Sequence, residues 1–110
     1  MAGYFQLHTT SNGGFMFNLK AGNHEVILTS QTYQSKQSAL DGIESVRNNS
    51  QVASRFERKT AKDDSPYFVL LATNGQVIGK SEMYSGKSAM ENGIQSVVTN
   101  GTSAVIKENN

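Results

Sequence analysis

Gly86-Lys87-Ser88 precedes a stretch of helical spacing and is the first place to look for phosphate chemistry. A phosphate-cradling loop also needs a glycine five residues before Gly86 and a strand leading into the loop in a parallel sheet. Position 81 is Ser81, and the segment before the loop reads as a hairpin strand, so the nucleotide reading is set aside. A weaker form survives. Lys36 and Lys87 both stand near helix starts, where free N–H groups attract anions, so a repeated anion site is weighed against two solvated lysines. His8 and His24 are the only histidines, and two nitrogen ligands without a third make a poor metal site. The chain has no cysteine, which excludes disulfides, thiolate nucleophiles and cysteine-held zinc. A serine nucleophile would need a histidine and an acid, and no such spacing stands out. Glu25, Glu44, Glu57, Glu82 and Glu91 form no obvious catalytic pair. No catalytic residue, metal or cofactor is therefore assigned. Arg55-Phe56-Glu57-Arg58-Lys59, with Arg47 and Lys62, holds half of the ten basic residues. On a strand, Arg55, Glu57 and Lys59 share one face while Phe56 and Arg58 share the other. Such a run can follow a phosphate backbone. An edge strand kept soluble by charge is the favoured reading.

The whole chain limits these options. It has 110 residues, one domain's worth, with 36% hydrophobic and 17% charged residues and a net charge of +1. Dedicated nucleic-acid domains usually carry a stronger basic bias. No apolar run approaches the roughly 18 residues of a membrane span. The opening Met1-Ala2-Gly3-Tyr4 lacks a basic region followed by an apolar one, so the expectation is a cytoplasmic protein without a membrane role.

What positions these residues is a repeat. "VILTSQTYQSKQSALDGIESV" (26–46) returns as "VIGKSEMYSGKSAMENGIQSV" (77–97). Sliding Phe5–Ser50 onto Phe56–Gly101 without gaps gives identity at 16 of 46 positions. Ordinary composition would give roughly one match in fifteen. The duplication divides 1–110 into repeat one at 4–50 and repeat two at 55–101, with Asn48–Ser54 as a polar linker.

Each copy encodes the same order of elements. Strands are expected at Tyr4–Thr9 and Arg55–Thr60. A hairpin follows in each copy, over Phe15, Phe17, Leu19 and Ala21 and over Phe68, Leu70 and Ala72. Asn74-Gly75 suggests a two-residue type I′ loop that pairs Ala72 with Val77 and Leu70 with Gly79. The period then becomes helical, with Ala39, Leu40, Ile43 and Val46 matched by Met90, Ile94, Val97 and Val98. Ser35 and Ser85 are candidate N-caps, with Ser88 to Glu91 as a competing capping box. Gly42 and Gly93 share one mid-helix position, where glycine costs roughly 1 kcal/mol, which suggests something packed too close for a Cβ.

One β-β-β-α unit leaves an edge strand bare and a marginal core. Two units related by an approximate two-fold would share one sheet. Hairpin through Tyr, Lys, Gly-Ile and Ser-Val, present in both copies, resembles the YegP-like family of short bacterial proteins. That resemblance spans about Tyr4 to Thr102. It implies an α+β fold of tandem β3-α repeats with one antiparallel six-stranded sheet and two helices on one face, the helices exchanged between halves. It implies no catalytic residues. Departures are Gly79 where the first copy has Leu28, and Leu71 where it has Lys20.

Three functions follow for such a fold. The leading one is a non-catalytic binding or interaction module whose partner face is the uncovered side of the sheet: Met16, Ile27, Tyr67, Val69, Leu71 and Ile78. Its partner is a protein or a second copy. The first alternative is a nucleic-acid or anion binder using Arg55, Arg58, Lys59, Lys36 and Lys87. The second is an enzyme with its site at the seam between repeats.

Overall fold

A computed structural model of the chain describes residues 3–109. Met1 and Ala2, on which the reading of the leader partly rests, and Asn110 lie outside the described residues. Strands β1 (Tyr4–Thr9), β2 (Phe15–Lys20) and β3 (Val26–Thr29) lead into α1 (Lys36–Asn49). A short 3-10 turn at Ala53–Arg55 connects to β4 (Phe56–Thr60), β5 (Pro66–Leu71), β6 (Val77–Lys80) and α2 (Lys87–Asn100). A last strand, β7 (Ile106–Asn109), follows.

All seven strands form one sheet in the order β4-β5-β6-β3-β2-β1-β7. The first six read as two equivalent triplets laid back to back, with the seam between β6 and β3. The expectation of six antiparallel strands is corrected here. The seventh strand, β7, runs parallel to β1, with Phe5 opposite Ile106 and Leu7 opposite Glu108, so the sheet is mixed. Its cause is the outer edge of β1, whose N–H and C=O groups need partners. Phe5 N–H donates to the Val105 carbonyl at 2.9 Å, and Ser103 Oγ donates to the Gly3 carbonyl at 2.7 Å. The sheet is therefore extended by residues past 101.

The hairpin loops also differ from expectation. Gly75 N–H donates to Ala72 O at 2.9 Å and Ala72 N–H to Gln76 O at 2.8 Å. This three-residue loop ends on one residue of positive φ, not two. The same closure recurs in all four hairpins, with positive φ at Gly13 (84°), His24 (72°), Asp64 (67°) and Gly75 (86°). Asn23, Asp63 and Asn74 support it by accepting the N–H two residues ahead.

The changed loop shifts the register. Leu71, not Ala72, pairs with Val77, and the ladder slips between Leu70 and Leu71, as it does between Leu19 and Lys20 in the first half. Such a bulge leaves one extra residue on the facing strand. Those residues are Ile27 and Ile78. Both turn inward and join the core, which corrects their placement on the open face.

One hydrophobic cluster holds residues from both helices and both triplets. Phe5, Phe17, Leu19 and Leu28 meet Phe56, Phe68 and Leu70, with Ile43 and Val46 from α1 and Ile94 and Val97 from α2. Each helix packs on strands of both halves: α1 on β2, β5 and β6, and α2 on β5, β2 and β3. The helices therefore straddle the seam, each on one strand of its own half and two of the other. Ser35 caps α1 through Ser38 N–H, whereas α2 begins after Gly86 with no side-chain cap, so neither Ser85 nor Ser88 caps it. Within the polar linker, α1 runs on to Asn49, Ser50 is fully buried and a 3-10 turn spans Ala53–Arg55.

Both helical glycines are explained by tyrosine. A Cβ on Gly42 would stand 2.5 Å from the Tyr33 hydroxyl, and on Gly93 closer still to that of Tyr84. Each tyrosine ring lies stacked on a core phenylalanine, Tyr33 on Phe17 and Tyr84 on Phe68, with an interplanar angle of 9° in both pairs. Gly79 has a different cause. A Cβ there would stand 2.6 Å from the Leu28 side chain, which crosses the seam. Leu28 and position 79 are equivalent in the repeat, so only one of them has room for a leucine. Gly79→Leu should destabilise the fold by about 1–3 kcal/mol through overpacking, read as a lower urea midpoint at unchanged slope. An unchanged midpoint would show that the seam has slack.

Candidate functional site

Three surfaces carry the residues singled out from sequence. The first is the sheet face opposite the helices. In β5, Phe68 and Leu70 point into the core, so Tyr67, Val69 and Leu71 occupy the other face. Tyr67 and Leu71 are half-buried, while Val69 is buried although it lies outside the core cluster. Lys80, opposite Val69 on β6, lays its ammonium 5.0 Å from the centre of the Tyr67 ring. Exposed Val77 extends this apolar strip.

The first half of the same face is polar. His8 Nε2–H donates to Asn18 Oδ1, and Asn18 Nδ2 donates to Thr29 Oγ1, both at 2.9 Å. Tyr4 and His24 share a hydrogen bond of 2.9 Å, with Lys20 and Lys107 over the Tyr4 ring. Both histidines thus bond to neighbours on the sheet. Met16 is half-buried on this half, on β2, and does not belong to the β5 strip. Of the six predicted face residues, the structure keeps Tyr67, Val69 and Leu71 together and sends Ile27 and Ile78 inside.

The second surface is the seam. An open groove of about 320 Å³ is lined by Thr29, Ser30, Gln31, Val77, Gly79, Lys80, Ser81 and Glu82. It juxtaposes equivalent residues of the two repeats. Ser30 and Ser81 are buried there, and each accepts from a backbone N–H, of Phe17 and Phe68, at 2.9 and 3.0 Å. Each hydroxyl donates in turn to the carbonyl of the residue that follows it, Gln31 or Glu82. A serine nucleophile needs its O–H directed at a base. These two are directed at backbone.

The third surface is the free edge at β4. The basic run is the edge strand expected from its charge, and most of it is paired. Arg58 meets Glu91 through two hydrogen bonds, of 2.5 and 2.8 Å. That pairing raises the Arg58 pKa and holds the Glu91 carboxyl below its ordinary range. Lys59 meets Glu57 at 2.9 Å, which raises the lysine pKa. Arg55 donates to Asn49 Oδ1 at 3.1 Å. Lys36 lies at the other end of the molecule, 2.6 Å from Glu108 of β7. Lys87 forms no ion pair among the described residues. It lines a groove of about 370 Å³ with Arg58, Lys59, Thr60, Pro66, Met90 and Glu91. Of the residues grouped as anion contacts from sequence, Arg58, Lys59 and Lys87 line this one groove, while Lys36 lies on the opposite edge. Among the described residues no three acidic or imidazole side chains are grouped to hold a metal. Among the described residues no helix is long and apolar enough to cross a membrane.

The architecture is that of a tandem α+β repeat protein, two copies of one unit sharing a mixed sheet beneath two helices. The chain belongs to the YegP-like family: it matches the domain of unknown function DUF1508 twice, at residues 10–57 and 61–108. The two matches are offset by the same interval as the internal repeat. It is 52% identical to the UPF0339 protein YegP of Escherichia coli K12 over 109 residues, covering 99% of each chain. It is 51% identical to a UPF0339 protein of Shewanella oneidensis over 108 residues, covering 98% of each. The solution NMR structure of the E. coli protein superposes with a TM-score of 0.94, covering 99% of this chain and 94% of that one. The Shewanella protein's NMR structure gives 0.93, covering 98% and 92%.

The stacked tyrosines give this geometry a pH signature. Burial raises the pKa of both Tyr33 and Tyr84 above 10.0. A raised pKa in the folded state means stability that is intact below the ordinary tyrosine value and lost as pH climbs through the folded one. Thermal midpoints should therefore fall above about pH 10, more steeply in the native chain than in a Tyr33→Phe, Tyr84→Phe double variant. Parallel curves for the two proteins would contradict this.

Proposed function

We infer that this chain is a non-catalytic, cytoplasmic binding module whose partner is another protein, held on the bare face of the sheet. The observation that carries this reading is the Tyr67–Val69–Leu71 strip, continued by Val77 and bordered by Lys80. Leu71 replaces Lys20 of the first repeat, so the apolar character belongs to one half of a face that is otherwise polar. An apolar strip rimmed by polar residues is the composition of a protein-binding surface. Ile27 and Ile78 are not part of it, and Met16 sits apart.

The basic alternative draws less support. Arg58, Lys59 and Lys36 are committed to Glu91, Glu57 and Glu108, and Arg55 to Asn49. Neutralised cations contribute little counterion release on a phosphate backbone. The seam enzyme draws less still, because its two buried hydroxyls donate to carbonyls.

Leu71→Asp tests the reading. Affinity capture from the native cell extract should retain a protein on the wild type that is lost on Leu71→Asp, with Thr29→Ser as a matched control and equal thermal midpoints for all three. A captured protein indifferent to Leu71→Asp would remove the open face from consideration.

A further inference from the structure

The two outer edges of the sheet are equivalent in the repeat and unequal in the structure. On one side, β1 is covered by β7. On the other, β4 has no neighbour among the described residues. Thr10 N–H pairs across its hairpin with Gly14 O, and Ala61 N–H with Ser65 O, both at 2.9 Å. Antiparallel alternation then sends the backbone groups of Phe5 and Leu7 outward on β1, and those of Phe56, Arg58 and Thr60 outward on β4. Phe5 N–H finds Val105 in the strand alongside, whereas Phe56 N–H is closed by Ala53 O in the 3-10 turn. Arg58 and Thr60 are left facing outward.

The covered edge shows how a strand is held. Glu108, opposite Leu7, is met by Lys36 from the start of α1 at 2.6 Å. The repeat equivalents of Leu7 and Lys36 are Arg58 and Lys87, and these line one groove at the open edge. Lys87 has the position of Lys36 without its carboxylate.

We propose that the β4 edge is a docking site for an extended acidic segment of a partner protein, added parallel to β4 as an eighth strand, with a carboxylate on Lys87. Main-chain hydrogen bonds to Arg58 and Thr60 hold the segment, as in other strand additions. The segment's order is copied from β7: an apolar residue, any residue, then an acid, as in Ile106-Lys107-Glu108. On the open face the middle residue stands opposite Glu57, the equivalent of Gln6, whose carboxylate is already paired with Lys59, so a neutral polar residue suits it better than a second acid. The charged side chains of β4 turn away uncharged and apolar edges, and so make the edge selective. The bare sheet face is a separate surface, and the proposal stands without it.

The probe is the acetylated peptide AVIQENN, which follows the order of β7 with a neutral residue at the middle position, titrated into the labelled full-length protein. Amide signals of Arg58 and Thr60 should shift and gain hydrogen-exchange protection. Lys87→Glu should weaken binding by roughly five- to tenfold, Lys87→Arg should preserve it, and the peptide AVIQKNN should regain affinity for Lys87→Glu. Leu71→Asp should leave the titration unchanged. No shift at β4, or shifts at β1 as β7 is displaced, would overturn the proposal. So would peptide-free shifts of β4 that grow with protein concentration, because the occupant would then be a second copy.

Discussion

Only one leucine fits where the two halves meet. Leu28 crosses the seam into the space above Gly79, its repeat counterpart, and any side chain at 79 would collide with it. Close-packed interiors do not absorb the extra volume, so a duplicated unit must break its own symmetry at the axis. The ladder across the seam is thin, with Thr29 opposite Lys80 as its one registered pair. What joins the halves is therefore the side-chain layer beneath the ladder. Leu28, Ile27 and Ile78 stand there with both helices straddling it. The Tyr33–Gly42 and Tyr84–Gly93 contacts tie each helix to its own half while it also packs on two strands of the other.

Once joined, the halves diverge. The first half has its outer edge covered by β7, and it keeps Leu7 in the core with Leu40 packed against it. The second half has Arg58 and Glu91 at those positions, an exposed ion pair beside an uncovered strand. Charge at an open edge and apolar packing at a closed one are the same rule applied to different solvent exposure. The repeated asparagines diverge in the same way. Each donates to a serine carbonyl four residues back, of Ser45 or Ser96. Asn100 then receives the N–H of Gly3, whereas Asn49 receives the guanidinium of Arg55. The first contact ties the last helix to the start of the first strand.

Much of this was legible in the residues. The 51-residue offset, the strand alternation around Phe17, Leu19, Phe68 and Leu70, and the helical spacing of Ile43 and Ile94 define the repeat and its core. Three things were hidden. β7 offers only Ile106 as an inward apolar residue, and it forms because β1 needs a partner, a tertiary cause without a local pattern. The bulges that turn Ile27 and Ile78 inward depend on loop closure. His24 and Asp64 at positive φ show that the loop type is set by backbone closure and not by the Asn-Gly pair alone. Of the candidate surfaces, the charged edge could be read from Arg55–Lys59. Its meeting with Lys87 could not, because that requires knowing which end of the sheet each helix start overlies.

The central claim is that neither half has a core of its own. Native-state hydrogen exchange in rising denaturant measures this directly, through the innermost amides of Leu19 and Leu70. Both should converge on one opening free energy and one denaturant slope, equal to those of global unfolding. If Leu70 opened at a lower free energy while Leu19 stayed protected, or the reverse, the halves would be independent units and the account would fail.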